Sequence, residues 1–151
     1  MSNSSYITVS GTSYLTESLS DRLRMLTGDL IRTVSEYQSL LANYRQSVTL
    51  TTSYSAGLKQ EVENSNVPTL YSTENSEAPV IKINDTNYDA SNLPAEVQHY
   101  VNELVRANSQ KSSLEYRLRQ LDAARVSFTK AIQDEVNATK PIPMDPQPSN
   151  D

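Results

Sequence analysis

Residues 114–121 read LEYRLRQL and place leucines at positions 114, 118 and 121. Apolar residues separated alternately by four and three lie on one face of an α-helix, so this spacing predicts a helix with an apolar stripe. The stripe runs through the second half of the chain as Val97, Tyr100, Leu104, Leu114, Leu118, Leu121, Phe128 and Ile132. A pattern sustained over about six heptads favours coiled-coil-like packing of helices.

The first half of the chain carries the same stripe, 74 residues earlier. Residues 6–62 align with residues 80–136 without a gap, and 14 of the 57 positions are identical. The earlier stripe consists of Leu23, Leu26, Leu30, Tyr37, Leu40, Tyr44, Tyr54 and Leu58. The chain therefore reads as one module written twice. We call the sixteen residues of the two stripes the helical seam and predict them as the interface residues.

Each module opens with a short strand pattern and a turn. Residues 6–9 and 80–83 alternate as strands do, and residues 10–13 and 84–87 hold the Ser, Gly, Asn and Asp that tolerate a tight turn. These segments predict two β-hairpins, which either pair into one small sheet or pack on the helices. Ser18 and Asn92 stand at matching positions and predict the helix N-caps.

The helices that follow are predicted to be long, and some of their details stay open. A continuous helix over about 94–137 would be roughly 65 Å long, but the polar patch at 108–113 also allows a helical hairpin. Lys111 and Arg125 interrupt one stripe. Residues 47–55 are rich in Thr and Ser, so that part of the first helix is expected to fray or bend.

The predicted fold class is mainly α with small β-hairpins (α+β), as two tandem β-hairpin/long-helix repeats with coiled-coil-like packing. The predicted domains are repeat 1 at 6–62, a linker at 63–79, repeat 2 at 80–137 and a Pro-rich tail at 138–151. The linker holds prolines among polar residues and reads as an extended loop. The tail contains four prolines, which exclude helix there.

Composition excludes several classes of protein. The chain has no cysteine, which removes disulfides, thiol catalysis and cysteine-based metal sites. The net charge is −5 and no block of Lys and Arg occurs, so no nucleic-acid footprint is expected. The first ten residues lack the features of a signal peptide, and no apolar run approaches the roughly 20 residues of a membrane span.

No constellation of catalytic or metal-binding residues is present in the sequence. His99 is the single histidine, and we expect it on a helix surface beside the seam. Glu115 with Arg119 and Asp122 with Arg125 have the spacing of helix-surface ion pairs. We therefore predict no enzymatic activity, no metal and no cofactor. The nine tyrosines fit either a half-wet helical seam or an interface surface.

The second repeat resembles a small family of uncharacterised domains found in tailed phages, especially marine and cyanobacterial ones. The resemblance rests on Ile81–Tyr88, Leu93–Glu96 and Leu118–Phe128 and covers about 55 residues. The family has a short hairpin with a Tyr on the return arm, then a long helix that ends in an alanine, arginine and aromatic signature. The first repeat keeps Tyr14 but has Leu50–Tyr54 in place of that signature. The resemblance implies a phage origin and this fold.

Duplication of a scaffold without catalytic groups indicates a binding or assembly role. We predict a non-enzymatic phage virion or assembly protein that bridges or lines a multisubunit surface through its seam and hairpins. The expected partners are other virion proteins or copies of the chain itself, with no nucleic acid and no membrane. The seam either contacts those partners or lets the chain's own helices pack antiparallel. The alternative is a small protein in the host cytoplasm that binds and modulates a host protein.

Overall fold

The computed structural model describes residues 5–70, 79–83 and 85–144. Two long helices and two small antiparallel hairpins dominate these residues, which confirms a mainly α protein of the α+β type. The elements in chain order are β1 Tyr6–Val9, β2 Thr12–Leu15, a 3-10 turn Thr16–Ser18, α1 Asp21–Asn64, β3 Thr69–Leu70, β4 Val80–Ile83, β5 Thr86–Asp89 and α2 Ala95–Thr139.

The chain divides into two compact units. Unit 1 comprises Met1–Leu40 with Tyr116–Asp151, and unit 2 comprises Leu41–Glu115. Each unit therefore contains one hairpin, one part of α1 and one part of α2. The hairpins belong to two separate sheets, with strand orders β1-β2 and β3-β5-β4. Of the two arrangements that the sequence left open, the hairpins take the one in which each packs on helices.

The first hairpin closes through a two-residue turn at Ser10 and Gly11. Both residues have positive φ, at 49° and 82°, and Val9 pairs with Thr12 across the turn. Two successive positive φ angles are typical of a type I′ turn, whose twist matches the right-handed twist of the strands. In the second hairpin Asp85 also has positive φ, at 65°, while Asn84 lies outside the described residues. The predicted tight turns are thus confirmed where the structure describes them.

The helix N-caps differ from the prediction. Ser18 lies in the 3-10 turn and donates its hydroxyl to the Leu15 carbonyl. The N-cap of α1 is Ser20, whose Oγ accepts the backbone N–H of Leu23 at 3.1 Å. At the start of α2, Pro94 accepts the first helical bond, from the N–H of Gln98 at 3.0 Å. For α1 the prediction was off by two residues because residues 16–18 form their own turn before the helix begins.

Both helices are continuous. α2 passes through the polar patch at 108–113 without a break, so the helical hairpin does not form. α1 also continues through 47–55, where fraying or a bend was expected. The hydroxyls of Thr49, Thr51 and Thr52 each donate to the carbonyl four residues earlier, at 3.1, 2.8 and 3.0 Å. Each hydroxyl shares the carbonyl that also accepts the N–H of its own residue, so it is hydrogen-bonded without the helix opening.

The core of unit 1 joins the start of α1 to the end of α2. Its buried residues are Leu19, Leu23, Leu26, Ile132 and Val136. The inner face of the first hairpin packs on this cluster through Ile7, Val9 and Tyr14. Residues near the start of one helix meet residues near the end of the other, so the two segments are antiparallel within the unit. Truncating one such leucine to alanine removes about 2–5 kcal/mol of stability.

The core of unit 2 has the same composition of elements. Its buried residues are Leu58, Val62, Val67, Ile83 and Val97, from the end of α1, the segment that follows it, the second hairpin and the start of α2. Ile81 and Tyr88 add the inner face of the hairpin. Here too the helical segments are antiparallel.

The segment after each helix is more ordered than the sequence indicated. Residues 63–79 were predicted as an extended loop, but α1 continues to Asn64 and β3 pairs with β5. In the predicted Pro-rich tail, α2 continues to Thr139 and Pro143 forms a bridge with Tyr14 of β2. Residues 71–78 of the linker and 145–151 of the tail lie outside the described residues.

Candidate interaction surfaces

All sixteen residues of the helical seam lie on inward-facing positions of the two units. Seven are buried, namely Leu23, Leu26, Leu58, Val97, Leu118, Leu121 and Ile132. The other nine are half-buried, namely Leu30, Tyr37, Leu40, Tyr44, Tyr54, Tyr100, Leu104, Leu114 and Phe128. Leu23 and Val97 have no exposed surface at all. The seam is therefore covered largely by the chain's own helices and hairpins.

Two polar residues at stripe positions, Thr33 and Arg125, are accommodated in different ways. Thr33 is buried and donates its hydroxyl to the Asp29 carbonyl at 2.8 Å, so no polar atom is stranded. Arg125 is exposed and pairs with Asp122 at 2.9 Å, as the spacing predicted. The predicted pair of Glu115 with Arg119 does not form among the described residues.

Glu115 instead accepts a hydrogen bond from Tyr44. The Tyr44 hydroxyl donates to Glu115 Oε1 at 3.0 Å, which joins α1 to α2 within unit 2. This hydrogen bond, with smaller contributions from burial and from the negative charge of Glu115, raises the pKa of Tyr44. The neutral phenol is the form that donates, so the bond favours it. Tyr44 is therefore a half-buried seam residue whose hydroxyl is bonded to a carboxylate.

Unit 2 contains a close contact between an aromatic ring and a glycine. A Cβ placed on Gly57 would lie 2.6 Å from Cε1 and 2.9 Å from Cζ of Tyr100. In unit 1 the aligned positions hold Ala131 and Leu26, which belong to one cluster. The larger ring faces the residue without a side chain, and the smaller leucine accompanies the alanine. Size is therefore balanced across the helices in each unit.

A glutamate near the end of each helix lies beside the start of the other helix in its unit. Glu135 accepts a hydrogen bond from the hydroxyl of Ser20, the N-cap of α1, at 3.0 Å. Glu61 lines a groove with Ala95 and Glu96, which begin α2. A helix N-terminus favours negative charge because its first N–H groups are unpaired. The two glutamates are an identical pair in the alignment, a signal that the sequence offered but that the stripe analysis did not use.

The identical arginines follow two patterns. Arg32 pairs with Asp29, and Arg106 pairs with Glu103 at 3.7 Å, both three residues along the helix. Arg45 and Arg119 are exposed, and no carboxylate of the described residues lies within 4 Å of either. The ion pairs of Arg32 and Arg106 are exposed, and such pairs contribute about 0–1 kcal/mol each.

Apolar side chains that face solvent define the surfaces left for a partner. Ile31 is 62% exposed and Val105 is 64% exposed, and the two are aligned at the offset of 74. The other large exposed apolar residues are Tyr6, Met25, Val48, Leu50, Val80, Tyr116, Val126 and Ile142. Tyr6 and Val80 are a second aligned pair. The heptad pattern does not predict these positions, because they lie outside its phase or outside the helices.

Unit 2 has an apolar groove beside Val105. It has a volume of about 290 Å³ and lies between β4 and the two helices, where Ile81, Leu58, Val101 and Leu104 line it. A second groove of about 510 Å³ is lined mostly by Ser, Asn and Gln.

His99 is exposed on α2. Within the described residues no three His, Asp or Glu side chains cluster as a metal site would need, and neither helix has a stretch apolar enough to cross a membrane.

One carboxylate outside the helices has a shifted pKa. Asp89 accepts hydrogen bonds from the hydroxyl and the backbone N–H of Ser91, at 2.5 and 2.9 Å, and these lower its pKa. The bonds fix the turn that leads from β5 towards α2. The arrangement is an Asx turn, in which the aspartate side chain accepts the backbone N–H two residues further along the chain.

Comparisons of this chain with protein-family models, with curated proteins and with solved structures found no match.

Proposed function

We propose that this chain is a non-enzymatic assembly protein, a structural component of a phage virion, built from a duplicated hairpin-and-helix module with coiled-coil-like helical packing. The resemblance of the second repeat supports the phage origin. The exposed apolar surfaces support the assembly role. Partners in this proposal are other virion proteins or copies of the chain.

Matching burial at aligned positions supports the duplication. Leu23 and Val97 are both completely buried, and Leu58 and Ile132 are 2% and 3% exposed. Residues that take the same burial in both halves perform the same packing role. The two halves thus repeat the pattern of buried and exposed positions along the helix, and not only the residue types.

The duplication extends beyond the region that aligns by identity. Asn66 and Lys140 stand at the same offset, and both have positive φ, at 50° and 45°. Val67 and Pro141, the residues that follow them, are both buried. Thr69 then pairs with Tyr88, and Pro143 with Tyr14. We therefore place the modules at 5–70 and 79–144.

The helical seam has an internal role in this proposal. Because its residues are buried or half-buried in the chain's own packing, it holds the modules together and leaves the outer faces to partners.

The observation that carries the assembly role is the aligned exposed pair, Ile31 and Val105. An exposed aliphatic side chain is unremarkable by itself. The same exposure at the same position of both modules indicates a surface presented twice, which suits a partner that also repeats. Burial of such apolar surface contributes about 25 cal/mol per Å².

The test is mass spectrometry of purified phage particles with copy number per particle. A stoichiometric signal is expected, and it is expected to fall when Ile31→Asp and Val105→Asp are combined. The matched control combines Gln38→Asp with Ser112→Asp, an aligned pair of exposed polar residues at which the same charge is added. If the chain is absent from particles but present in infected-cell lysate, the assembly role is wrong and the host-protein binder takes its place.

A further inference from the structure

The first strand, β1, lies at the edge of its sheet and has backbone groups that point outward. In a hairpin with a two-residue turn, the residues that flank the turn exchange hydrogen bonds, and every second pair does the same. Val9 and Ile7 therefore bond to β2, while the N–H and C=O groups of Tyr6 and Thr8 face away. Two observed bonds fix this phase: Thr16 N–H donates to the Ser5 carbonyl at 3.0 Å, and Met144 N–H donates to the Ser13 carbonyl, on the outer side of β2, at 2.8 Å.

The corresponding edge in unit 2 is protected, and the edge of β1 is not. β4 carries an exposed lysine, Lys82, on the outward-facing register, and Pro79 precedes the strand. Charged residues and prolines at a sheet edge prevent pairing with a further strand. The aligned positions in unit 1 are Thr8 and Ser5, which have neither property. Among the described residues no group outside the hairpin is hydrogen-bonded to the backbone N–H or C=O of Tyr6 or Thr8. The Thr8 hydroxyl lies 2.8 Å from the Ser13 hydroxyl, within the hairpin.

Charge distinguishes the two hairpins in the same direction. Residues 5–16 contain no charged side chain, whereas residues 79–90 contain Lys82, Asp85 and Asp89. The whole chain has a net charge of −5, so two copies repel at most of their surface. Two copies that approach through the first hairpin would bring no like-charged side chains of residues 5–16 together.

We propose that β1 pairs with β1 of a second copy of this chain, antiparallel and two-fold symmetric about Ile7. In this register Tyr6 of each copy lies opposite Thr8 of the other and exchanges backbone hydrogen bonds with it. An aromatic residue opposite a β-branched residue is a favourable cross-strand pair. The same patch serves both copies, so the contact closes as a dimer and leaves no free edge at β1.

This inference rests on the proposed assembly role and names one partner for it. Tyr6, which is 61% exposed, would be partly covered by Thr8 of the second copy. A contact of this size is small, so the dimer is expected to dissociate on dilution.

The test is sedimentation equilibrium of the full chain over a range of concentrations. The wild-type chain is expected to be a concentration-dependent dimer. Thr8→Lys copies the lysine of β4 and is expected to raise the dimer dissociation constant about tenfold or more. The matched control, Lys82→Thr, makes the reverse exchange on the other edge and is expected to leave that constant at or below the wild-type value. Circular dichroism must show the same helix content in all three chains.

Amide hydrogen exchange shows whether a second copy or a segment of the same chain covers the edge of β1. Protection of the Tyr6 and Thr8 amides is expected to rise with concentration and to be lost in Thr8→Lys. A monomeric wild-type chain, or an unchanged dissociation constant in Thr8→Lys, overturns the inference. Protection that does not depend on concentration also overturns it, because the edge is then covered by a segment of the same chain.

Particle incorporation separates this inference from the proposed function. A monomeric chain that is still present in particles at stoichiometric copy number leaves the assembly role standing and removes the β1 dimer. A dimer that is absent from particles leaves the β1 contact standing and removes the assembly role.

Discussion

Replacing Gly57 by alanine tests the close packing of Tyr100 on α1. The change has two opposing effects. Alanine is a better helix former than glycine by about 1 kcal/mol, which stabilises α1. The new Cβ would lie 2.6 Å from the Tyr100 ring, however, and extra atoms forced into a packed contact typically cost about 1–3 kcal/mol. The net result is expected to range from no change to a loss of about 2 kcal/mol.

Gly28 supplies a matched control in the same helix. A Cβ at Gly28 would meet no atom within 4 Å, so Gly28→Ala is expected to keep the full gain of about 1 kcal/mol. The difference between the two variants isolates the contact and is expected to be about 1–3 kcal/mol. Urea unfolding followed by circular dichroism measures it. The reasoning is refuted if Gly57→Ala stabilises the chain as much as Gly28→Ala does.

A second substitution tests whether size is the cause. Tyr100→Leu with Gly57→Ala reproduces the leucine and alanine that unit 1 has at Leu26 and Ala131. The alanine is expected to be tolerated once the ring is gone, with a favourable coupling of about 0.5–3 kcal/mol in a double-mutant cycle. Strict additivity would mean that the ring and the glycine do not restrict each other.

Three further outcomes are expected. Ser20→Ala removes the N-cap of α1 and should lower the free energy of unfolding by about 1 kcal/mol in urea titration; an unchanged value would place the cap elsewhere. Leu118→Asp buries a charge in unit 1 and should lose more than about 3 kcal/mol, whereas the exposed His99→Ala should leave the melting temperature unchanged. The pKa of Tyr44 is raised in the folded chain, so its hydrogen bond contributes fully to stability below about pH 10, the pKa of an unfolded tyrosine. That contribution declines as the pH rises through the folded pKa. Glu115→Gln should bring the Tyr44 titration, followed by ultraviolet absorbance, closer to pH 10.

The helices and hairpins could be predicted because their signals are local. The three-and-four spacing around Leu118 depends only on helix geometry, and the turn at Ser10 and Gly11 depends only on which residues tolerate positive φ. The fraying expected near Thr51 was wrong because helix propensity does not record where a hydroxyl finds its acceptor.

The segments that follow the helices, and the outer surfaces, could not be predicted from the sequence alone. Asn66 and Lys140 lie at the offset of 74 and both have positive φ, although the aligned residues after position 62 differ. Which surface stays open depends on how each unit folds, and the heptad stripe does not contain that information. Exposure of Ile31 is decided by its neighbours in space, and the unprotected edge of β1 by which strands pair.

The division of the chain into units has a kinetic consequence. The core of unit 2 joins Leu58 to Val97, about 40 residues apart, whereas unit 1 joins Leu23 to Ile132, about 110 residues apart. Closing the longer loop costs about 0.9 kcal/mol more in chain entropy. Residues 41–115 are synthesised before the last part of α2, so we expect unit 2 to form before unit 1. Until residues 116–139 follow, the first hairpin and the start of α1 lack the α2 residues that cover their apolar faces.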